Sequence, residues 1–431
     1  MTRALRTIDD MDVEGRRVLL RADFNVPLTP APAGVPVGVA DDTRIRAALP
    51  TIEELRRRGA RLVLVSHLDR PQGPDPAYSM RPVANRLGRL MGTPTRLAPT
   101  VTGADLVDLT ELLAPGQVLM LENVRFEAGE TRNDPRLASA LAELGDLYVN
   151  DAFASTNMGH ASTSGVARLL PSAAGRLLER EVNALSAIVD QPARPLVAVL
   201  GGARLADKVG VVRRFLQLAD VVCIGGGMCF PFLAARGHRV GQSLCPREDV
   251  GLARAALREV AGATDRLMLP EDLQLAGCGS DASAVSESLD EVDVPDGWLG
   301  LDIGDRTAAR YADAVLMAAT VFWNGPMGRF ELPEFAGGTH LVAEAVASTS
   351  ATSVVGGGET VDAVRQFGLE ERVNHLSTGG QAMLAFLEGR ELPGVEALRR
   401  DPPIRLGDAT RPEPDGLAAS RTVTRGSSGR G

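Results

Sequence analysis

The chain has 431 residues, a formal net charge of −9 at pH 7, 44% hydrophobic residues and 23% charged residues. Its length is sufficient for two or three domains that each bury a core, and its composition is that of a globular protein. The acidic net charge and an aromatic content of 4% argue against a nucleic-acid partner, because such proteins are usually basic and often stack bases on aromatic rings.

Short apolar runs alternate along the chain with amphipathic stretches, which predicts an α/β protein with parallel sheets. The predicted strands are 17–20, 61–66, 117–121, 147–150, 196–200, 221–224, 267–269, 314–321 and 353–355. A helical stretch at 175–189 separates them into two groups, and a Pro/Gly/Ala-rich loop is predicted at 29–41. We therefore expect two doubly wound, Rossmann-like parallel-sheet domains joined by a helical hinge.

The cysteines and the N-terminus indicate a compartment. The four cysteines are Cys223, Cys229, Cys245 and Cys278. Their irregular spacing and the lack of a CxxC pair argue against a disulfide framework and against a structural zinc site. No apolar run follows the first residues, and none reaches the length of a membrane span. We expect a cytoplasmic protein without a membrane partner.

The residues that follow the predicted strands differ between the two halves, and ligands of parallel sheets bind at these strand ends. In the first half they are polar or charged: DFN (23–25), HLDR (67–70), ENVR (122–125) and ND (150–151). In the second half they are mostly glycines: GG (201–202), GGG (225–227), NGP (324–326) and GGG (356–358). Glycine turns let the backbone approach a phosphate group. The contrast predicts two domains that face each other and bind two different ligands.

Cations lie close to the predicted strand ends of both halves. In the first half they are Arg21, Arg44, Arg70 and Arg125, together with His67. Arginine suits bidentate contact with phosphate or carboxylate oxygens, although each of these residues, taken alone, is more typical of a solvated surface. In the second half, Lys208 lies one helical turn beyond Arg204. Each glycine run, taken alone, is also compatible with a simple tight turn.

The segment RADFNVP (21–27) resembles the RxDFNVP segment of the phosphoglycerate kinase family. Ten further stretches resemble the same family in order: DDTRI with AALPTI (41–52), SHLDRP (66–71), LENVRF (121–126), VNDAF (149–153), GGARLADK (201–208), IGGGM (224–228), GLDIG (300–304), WNGPMG (323–328), GGGET (356–360) and STGG (377–380). The resemblance covers about residues 5–397 of the chain.

The resemblance implies a monomeric kinase that reversibly transfers a phosphoryl group between ATP and the carboxylate of 3-phosphoglycerate, with Mg²⁺ as cofactor and no macromolecular partner. Its product would be 1,3-bisphosphoglycerate. The implied organisation is an acid-substrate domain (1–174), a hinge helix (175–191), a nucleotide domain (192–380), a segment returning to the first domain (381–398) and a disordered tail (399–431).

The resemblance also assigns site residues by position. The acid substrate would be bound by Asp23, Asn25, Arg44, His67, Arg70 and Arg125. The nucleotide would be bound by Gly201, Arg204, Lys208, Gly225, Asn324, Glu331, Gly357, Gly358, Glu359 and Thr360, with Glu359 also associated with the metal. Arg44 and Arg204 are the candidate catalytic residues, because they would neutralise charge on the phosphoryl group from opposite domains.

The chain departs from the family pattern at positions within these motifs. Arg204 replaces a lysine, Glu359 replaces an aspartate, and Met158 replaces an arginine that helps to hold the substrate phosphate. Smaller departures are Asp69, Asp305 and Gln381. Three interpretations remain open: a divergent phosphoglycerate kinase, a related kinase that phosphorylates a different carboxylic acid, and a non-catalytic nucleotide-binding scaffold.

Overall fold

The computed structural model describes residues 4–30, 38–259, 266–277 and 286–399. The first half of the chain forms a six-stranded parallel sheet with the order β3-β4-β2-β1-β5-β6. Its strands are β1 (Arg17–Arg21), β2 (Arg61–Val65), β3 (Arg96–Leu97), β4 (Val118–Met120), β5 (Leu147–Asn150) and β6 (Ser172–Ala174). Its helices are α1 (Thr43–Arg57), α2 (Arg81–Leu90), α3 (Ala104–Glu111) and α4 (Pro135–Ala142).

The second half forms another six-stranded parallel sheet, with the order β15-β14-β13-β7-β8-β9. Its strands are β7 (Leu196–Leu200), β8 (Val221–Ile224), β9 (Leu267–Met268), β13 (Thr320–Asn324), β14 (Thr352–Gly356) and β15 (His375–Ser377). Its helices are α6 (Val209–Leu218), α7 (Cys229–Arg236), α8 (Arg247–Glu259), α9 (Asp305–Leu316), α10 (Gly337–Ser348) and α11 (Gly358–Gln366). The predicted pair of parallel-sheet α/β domains is confirmed.

Three features of the second half differ from the prediction, the first being the short strand β15, which was not predicted. The predicted strand at 314–321 is wrong in its first part, because 314–316 form the last turn of α9 and β13 begins at Thr320. A short apolar run such as this one has no periodicity that separates helix from strand. A small antiparallel sheet was not predicted, since its outer strand is largely exposed and polar. It consists of β10 (Leu273–Gly277), β11 (Ser286–Leu289) and β12 (Trp298–Ile303).

Strand register brings the carboxyl ends of each sheet to one edge. In the first sheet Arg21 lies opposite Val65 on one side and Asn150 on the other. In the second sheet Asn324 lies opposite Leu200 and Gly356. The polar and glycine-rich segments therefore meet at those edges, as expected for parallel sheets.

Helix α5 (Arg176–Val189) connects the two sheets, and its buried residues recur on one helical face. It begins at a close approach of backbone to side chain: a Cβ atom on Gly175 would lie 2.3 Å from Asp151 Oδ1. The same Asp151 oxygen accepts hydrogen bonds from the amides of Leu177 and Leu178, at 2.8 and 3.2 Å. The carboxylate thus caps the helix start and anchors it to the end of β5.

The C-terminal helices α12 (Gln381–Leu387) and α13 (Pro393–Glu396) pack against the first half of the chain and against α5. The amide of Gly394 donates to the carbonyl oxygen of Thr156 at 3.0 Å. One apolar cluster runs from Phe153 through Leu185 to Met383 and Phe215. The two halves thus share one apolar core through α5 and α12, while the domain boundaries given above stay predictions. None of the helices in the described ranges is long and apolar enough to cross a membrane.

Candidate active site

The polar edge of the first sheet joins several predicted substrate residues in one hydrogen-bonded group. Arg44, at the start of α1, forms an ion pair with Asp23, which follows β1. Asp23 Oδ1 also accepts from the amide of Asn25 at 3.1 Å. Asp23 is buried whereas the Arg44 side chain remains 39% exposed. The buried carboxylate therefore holds a cation that still faces solvent.

The loop after β2 extends this group to Arg125. The amide of Asp69 donates to Asn25 Oδ1 at 2.8 Å, and Arg125 donates to the carbonyl oxygen of Asp69. Asp69 has a φ of 54°, a left-handed conformation that aspartate tolerates better than most residues. Arg70 follows Asp69 and has an exposed side chain. Burial, then the positive charge of Arg21, and then that of Arg70 lower the pKa of the Arg125 guanidinium. The structure thus brings the predicted substrate residues of this half together.

The surroundings of the two histidines at this edge lower the pKa of both rings. Burial, followed by the positive charges of Arg21, Arg125 and Arg44, holds the pKa of His67 well below its usual range. Burial, Arg21 and Arg125 lower the pKa of His160 to about 4. The positive potential of the site therefore comes from its arginines, while the histidines contribute hydrogen bonds only.

A buried carboxylate that the sequence did not predict lies beneath this edge. Glu130 is 1% exposed and accepts hydrogen bonds from Ser162, from the hydroxyl at 2.6 Å and from the amide at 2.9 Å. The Ser162 hydroxyl also accepts from Nε of Arg21 at 2.9 Å. Glu130 lies in a polar stretch, EAGETRND, that has no strand or helix period. Only the fold brings it near Arg21, so the sequence carried no signal for it.

The glycine turns of the second half pack against one another and surround Lys208. The predicted helical spacing of Arg204 and Lys208 is wrong, because α6 begins only at Val209, after both residues. Lys208 Nζ donates to the carbonyl oxygens of Gly201 and Asn324, at 2.8 and 3.2 Å. A Cβ atom on Gly202 would lie 3.0 Å from that ammonium and 4.0 Å from Glu359 Oε2. Burial lowers the pKa of Lys208 to about 8, although Glu359 opposes this shift. A lysine with two carbonyl partners can use its third proton for an anion.

The turn before α11 is tied to the end of β13. Asn324 Nδ2 donates to the carbonyl oxygen of Gly356 at 2.6 Å, and the Gly325 amide donates to Thr360 Oγ1 at 2.6 Å. Gly357 has a φ of 94°, and a Cβ atom there would lie 2.7 Å from Asn324 Nδ2. Glycine is therefore required at this turn. The first amides of α11, beginning at Gly358, are unpaired within the helix and suit a negatively charged group.

A cavity of about 330 Å³ opens beside these turns. Its lining includes Gly202, Gly226, Asp302, Met327, Glu331 and Glu359. Of the predicted nucleotide residues, Glu331 and Glu359 line it directly, and Gly225 lies behind it against Met327. Burial raises the pKa of Asp302 to about 7, although its oxygens accept hydrogen bonds from the amides of Ile303 and Gly338. An apolar cavity with a few polar groups, next to a phosphate-type turn, is typical of a nucleotide site.

Arg204 points toward a carboxylate of its own half. Its Nη2 lies 2.8 Å from Oε1 of Glu248, near the start of α8, and both side chains are largely exposed. Arg44 is instead paired in the first half, with Asp23. The two predicted catalytic residues are therefore on separate halves, each paired with an acidic residue of the same half.

Glu359 is the predicted metal-associated residue. Across the ranges that the structure describes, no group of three or more His, Cys, Asp or Glu side chains is arranged to hold a metal ion. Mg²⁺ is usually bound through one or two carboxylates together with substrate phosphates, rather than by a cage of protein ligands. The lone Glu359 carboxylate beside the glycine turns fits that mode of binding.

Known proteins resemble this chain over most of its length. The family model for phosphoglycerate kinase matches residues 8–390. The chain belongs to the phosphoglycerate kinase family. It is 51% identical to phosphoglycerate kinase of Rubrobacter xylanophilus over 394 residues, covering 91% of this chain and 98% of that protein. It is 46% identical to phosphoglycerate kinase of Deinococcus radiodurans over 398 residues, covering 91% and 94%.

Solved structures of the phosphoglycerate kinase family have the same fold. That of phosphoglycerate kinase from Coxiella burnetii superimposes with a TM-score of 0.82 at 36% identity, covering 92% of this chain and 99% of that one. That from Pyrococcus horikoshii gives a TM-score of 0.79 at 30% identity, covering 92% and 98%.

Three regions with sequence predictions lie outside the described residues. They are the tail at 400–431, Cys278 and most of the predicted loop at 29–41.

Against this family pattern, Met158 is the departure with the clearest structural consequence. Its side chain is 54% exposed in the loop that also carries His160. A thioether offers no charge and only a weak hydrogen-bond acceptor. This position therefore adds apolar surface where the family pattern has a cation.

Proposed function

We propose that this protein is a phosphoglycerate kinase that reversibly transfers a phosphoryl group between ATP and the carboxylate of 3-phosphoglycerate, giving 1,3-bisphosphoglycerate and ADP. Relatives that are 46–51% identical over 91% of the chain carry this name. The single observation that carries the proposal is the joint presence of two sites: the arginine-rich edge of the first sheet and the glycine-lined cavity of the second. A non-catalytic scaffold would not require both of these sites.

The reaction needs no general base, because the attacking carboxylate is ionised at pH 7, with an ordinary pKa near 4. Catalysis instead requires alignment of the reactants and positive charge around the transferred group. Arg44 would supply charge from the acid-substrate side, and Arg204 from the nucleotide side. Lys208 and the free amides at the start of α11 would hold the nucleotide phosphates.

Mg²⁺, bound with the nucleotide, would spread the negative charge of the phosphates, and Glu359 is the residue that would hold it on the protein side. The ion pairs Arg44–Asp23 and Arg204–Glu248 lie within separate halves. Transfer would therefore require the two halves to approach each other by bending about α5, which would also exclude water from the phosphoryl group.

We propose the cytoplasm as location, supported by the three free cysteines of the described chain. A monomer is our proposal from the family resemblance.

The test is turnover of ATP by the purified full chain with Mg²⁺ and 3-phosphoglycerate, coupled to reductive removal of the acyl phosphate. Sustained turnover is the expected result. Tight binding of Mg-ATP without turnover would overturn the substrate assignment in favour of another carboxylic acid. If the protein bound no nucleotide, the non-catalytic scaffold would be the remaining interpretation.

A matched pair of variants links activity to the site. Arg44→Met removes a cation at the polar edge, whereas Arg46→Met removes one two residues later that is 56% exposed and paired with Asp42. We expect a loss of about 100-fold or more in kcat/KM for Arg44→Met and little change for Arg46→Met. Equal effects would contradict the placement of the acid substrate.

A further inference from the structure

Arg21 makes an unusual set of contacts for an arginine beneath a substrate site. It is 1% exposed, and its Nη2 lies 2.9 Å from Nδ1 of His67. Its Nε donates to Ser162 Oγ at 2.9 Å, and its Nη1 donates to the carbonyl oxygen of Ala22. Each of the three guanidinium nitrogens therefore has an acceptor, and the His67 ring is one of them.

We infer that Arg21 is a positioning residue that keeps His67 in the neutral tautomer with its proton on Nε2, so that His67 offers the substrate a hydrogen-bond donor rather than a positive charge. A guanidinium has only donors, so Nδ1 of His67 must accept and carry no proton. Among the described residues, this is the only hydrogen bond of the His67 ring. Its remaining proton is therefore on Nε2, the nitrogen that Arg21 leaves free for a ligand.

The groups around His67 all oppose a second proton on the ring. The charged and titratable groups that act on it are Arg21, Arg44, Arg125 and His160, which come from four separate parts of the fold. Burial is the largest cause of its depressed pKa, and the arginines add to it. A proton on Nδ1 would also direct one N–H group at another across 2.9 Å. Geometry and charge thus favour the same state.

Glu130 and Ser162 hold Arg21 in this orientation. Both hydrogen bonds from Ser162 end on the Glu130 carboxylate, so the serine hydroxyl proton is committed to Glu130 Oε1. The serine oxygen then presents its lone pairs to Nε of Arg21. Since a guanidinium is planar, fixing Nε also fixes the direction of Nη2 toward His67. The buried acid is thus connected to the substrate site through one hydroxyl and one guanidinium.

The consequence concerns the ligand atom that His67 recognises, and it rests on the proposed function because it concerns the same substrate site. A neutral Nε2–H group selects an oxygen with a free lone pair, such as that of a carboxylate, phosphate or hydroxyl group. Substrate binding should then show no titration of His67 between about pH 5.5 and 8, where an unperturbed histidine changes charge.

The decisive measurement is long-range ¹H–¹⁵N NMR of the ligand-free protein labelled at its five histidines, with the His67 signals assigned by His67→Gln. We expect a protonated Nε2 and an unprotonated Nδ1 from pH 5.5 to 8. A proton on Nδ1, or an imidazolium at pH 7, would overturn the inference. The readout requires no turnover, so an inactive protein with the expected tautomer would contradict the proposed function and leave this inference standing.

Two variants separate the hydrogen bond from the charge. Arg21→Met removes the donor to Nδ1, and we expect His67 to adopt a mixture of tautomers and KM for 3-phosphoglycerate to rise about tenfold. Arg125→Met removes an equal charge near His67 without touching Nδ1, and we expect the tautomer to be unchanged.

Ser162→Ala is a milder variant for the case that Arg21→Met does not fold. Without Ser162 Oγ the guanidinium loses the acceptor of its Nε, and we expect part of the His67 population to move its proton to Nδ1. A His67 spectrum unchanged in the folded variants would remove Arg21 from the positioning role.

Discussion

Arg204 and Glu248 form an ion pair at 2.8 Å on the surface of the second half, although the family resemblance predicts that Arg204 binds the nucleotide. The pair holds the guanidinium within its own half. Because both side chains are largely exposed, the pair is a weak one that substrate binding can break. In the proposed reaction, Arg204 would have to leave Glu248 before it could contact the phosphoryl group.

Replacing Arg204 tests its role in the transfer. We expect Arg204→Ala to lower kcat by about 100-fold or more with little change in the Kd of ATP, because charge on the phosphoryl group matters most in the transition state. Steady-state kinetics and calorimetry measure the two quantities. Arg204→Lys, which restores the family's own residue, should retain most of the activity, and an unchanged kcat in Arg204→Ala would exclude this residue from the mechanism.

The ion pair gives a second prediction with the opposite sign. Glu248→Gln removes the charge that holds Arg204, so we expect kcat to rise, by at most about fivefold, and the gain to shrink at high salt. The measurement is kcat at two ionic strengths. A lower kcat in Glu248→Gln would mean that Glu248 assists the transfer and does not merely hold Arg204 in the ligand-free protein.

Replacing Met158 tests how the protein binds the acid substrate. Met158→Arg adds a cation at a position where the family pattern has one, and we expect KM for 3-phosphoglycerate to fall by one to two decades with KM for ATP unchanged. Leu112→Arg is the matched control, because Leu112 is 80% exposed and directly follows Glu111, whose carbonyl oxygen accepts from Arg61 at the first residue of β2. Equal responses of the two variants would mean that the loop at Met158 does not meet the substrate.

The lowered pKa of Lys208 predicts that nucleotide binding depends on pH. Burial lowers the pKa of Lys208 to about 8, so its ammonium is present below that pH and is lost above it. Attraction to phosphate is therefore complete near pH 7, and we expect the Kd of Mg-ATP to rise about tenfold by pH 9. Calorimetry across pH 6.5–9.5 measures this rise. Lys208→Met should bind weakly at every pH, and a pH-dependent Kd in that variant would assign the titration to another group.

Replacing Glu181 on α5 tests how this connecting helix is attached to the second sheet. The buried carboxylate accepts hydrogen bonds from His375, Ser377 and Thr378, at 2.7–3.0 Å. Glu181→Ala leaves these donors unpaired, and we expect a loss of about 3–5 kcal/mol in the free energy of unfolding by urea. Asn183→Ala changes an exposed residue on the same helix and should have little effect. Similar losses in both variants would contradict this account.

Local patterns in the sequence determined the α/β class, most strands and the division into a charged half and a glycine-rich half. Strands such as β7 are continuous apolar runs because both faces of a parallel sheet are buried, and such runs are visible without a structure. The family resemblance named the site residues, since RADFNVP and GGARLADK carry them within short segments.

Only the tertiary structure decided the relationships that connect distant segments. The contacts from Arg21 to His67 and through Ser162 to Glu130 span up to 141 residues of sequence, and no local period encodes them. The end of β13 and the small antiparallel sheet depend on packing rather than on composition. Side-chain direction, burial and hydrogen-bond partners follow from how the elements meet. The contact of Arg21 with His67 and the pairing of Arg204 with Glu248 therefore became visible only in the folded chain.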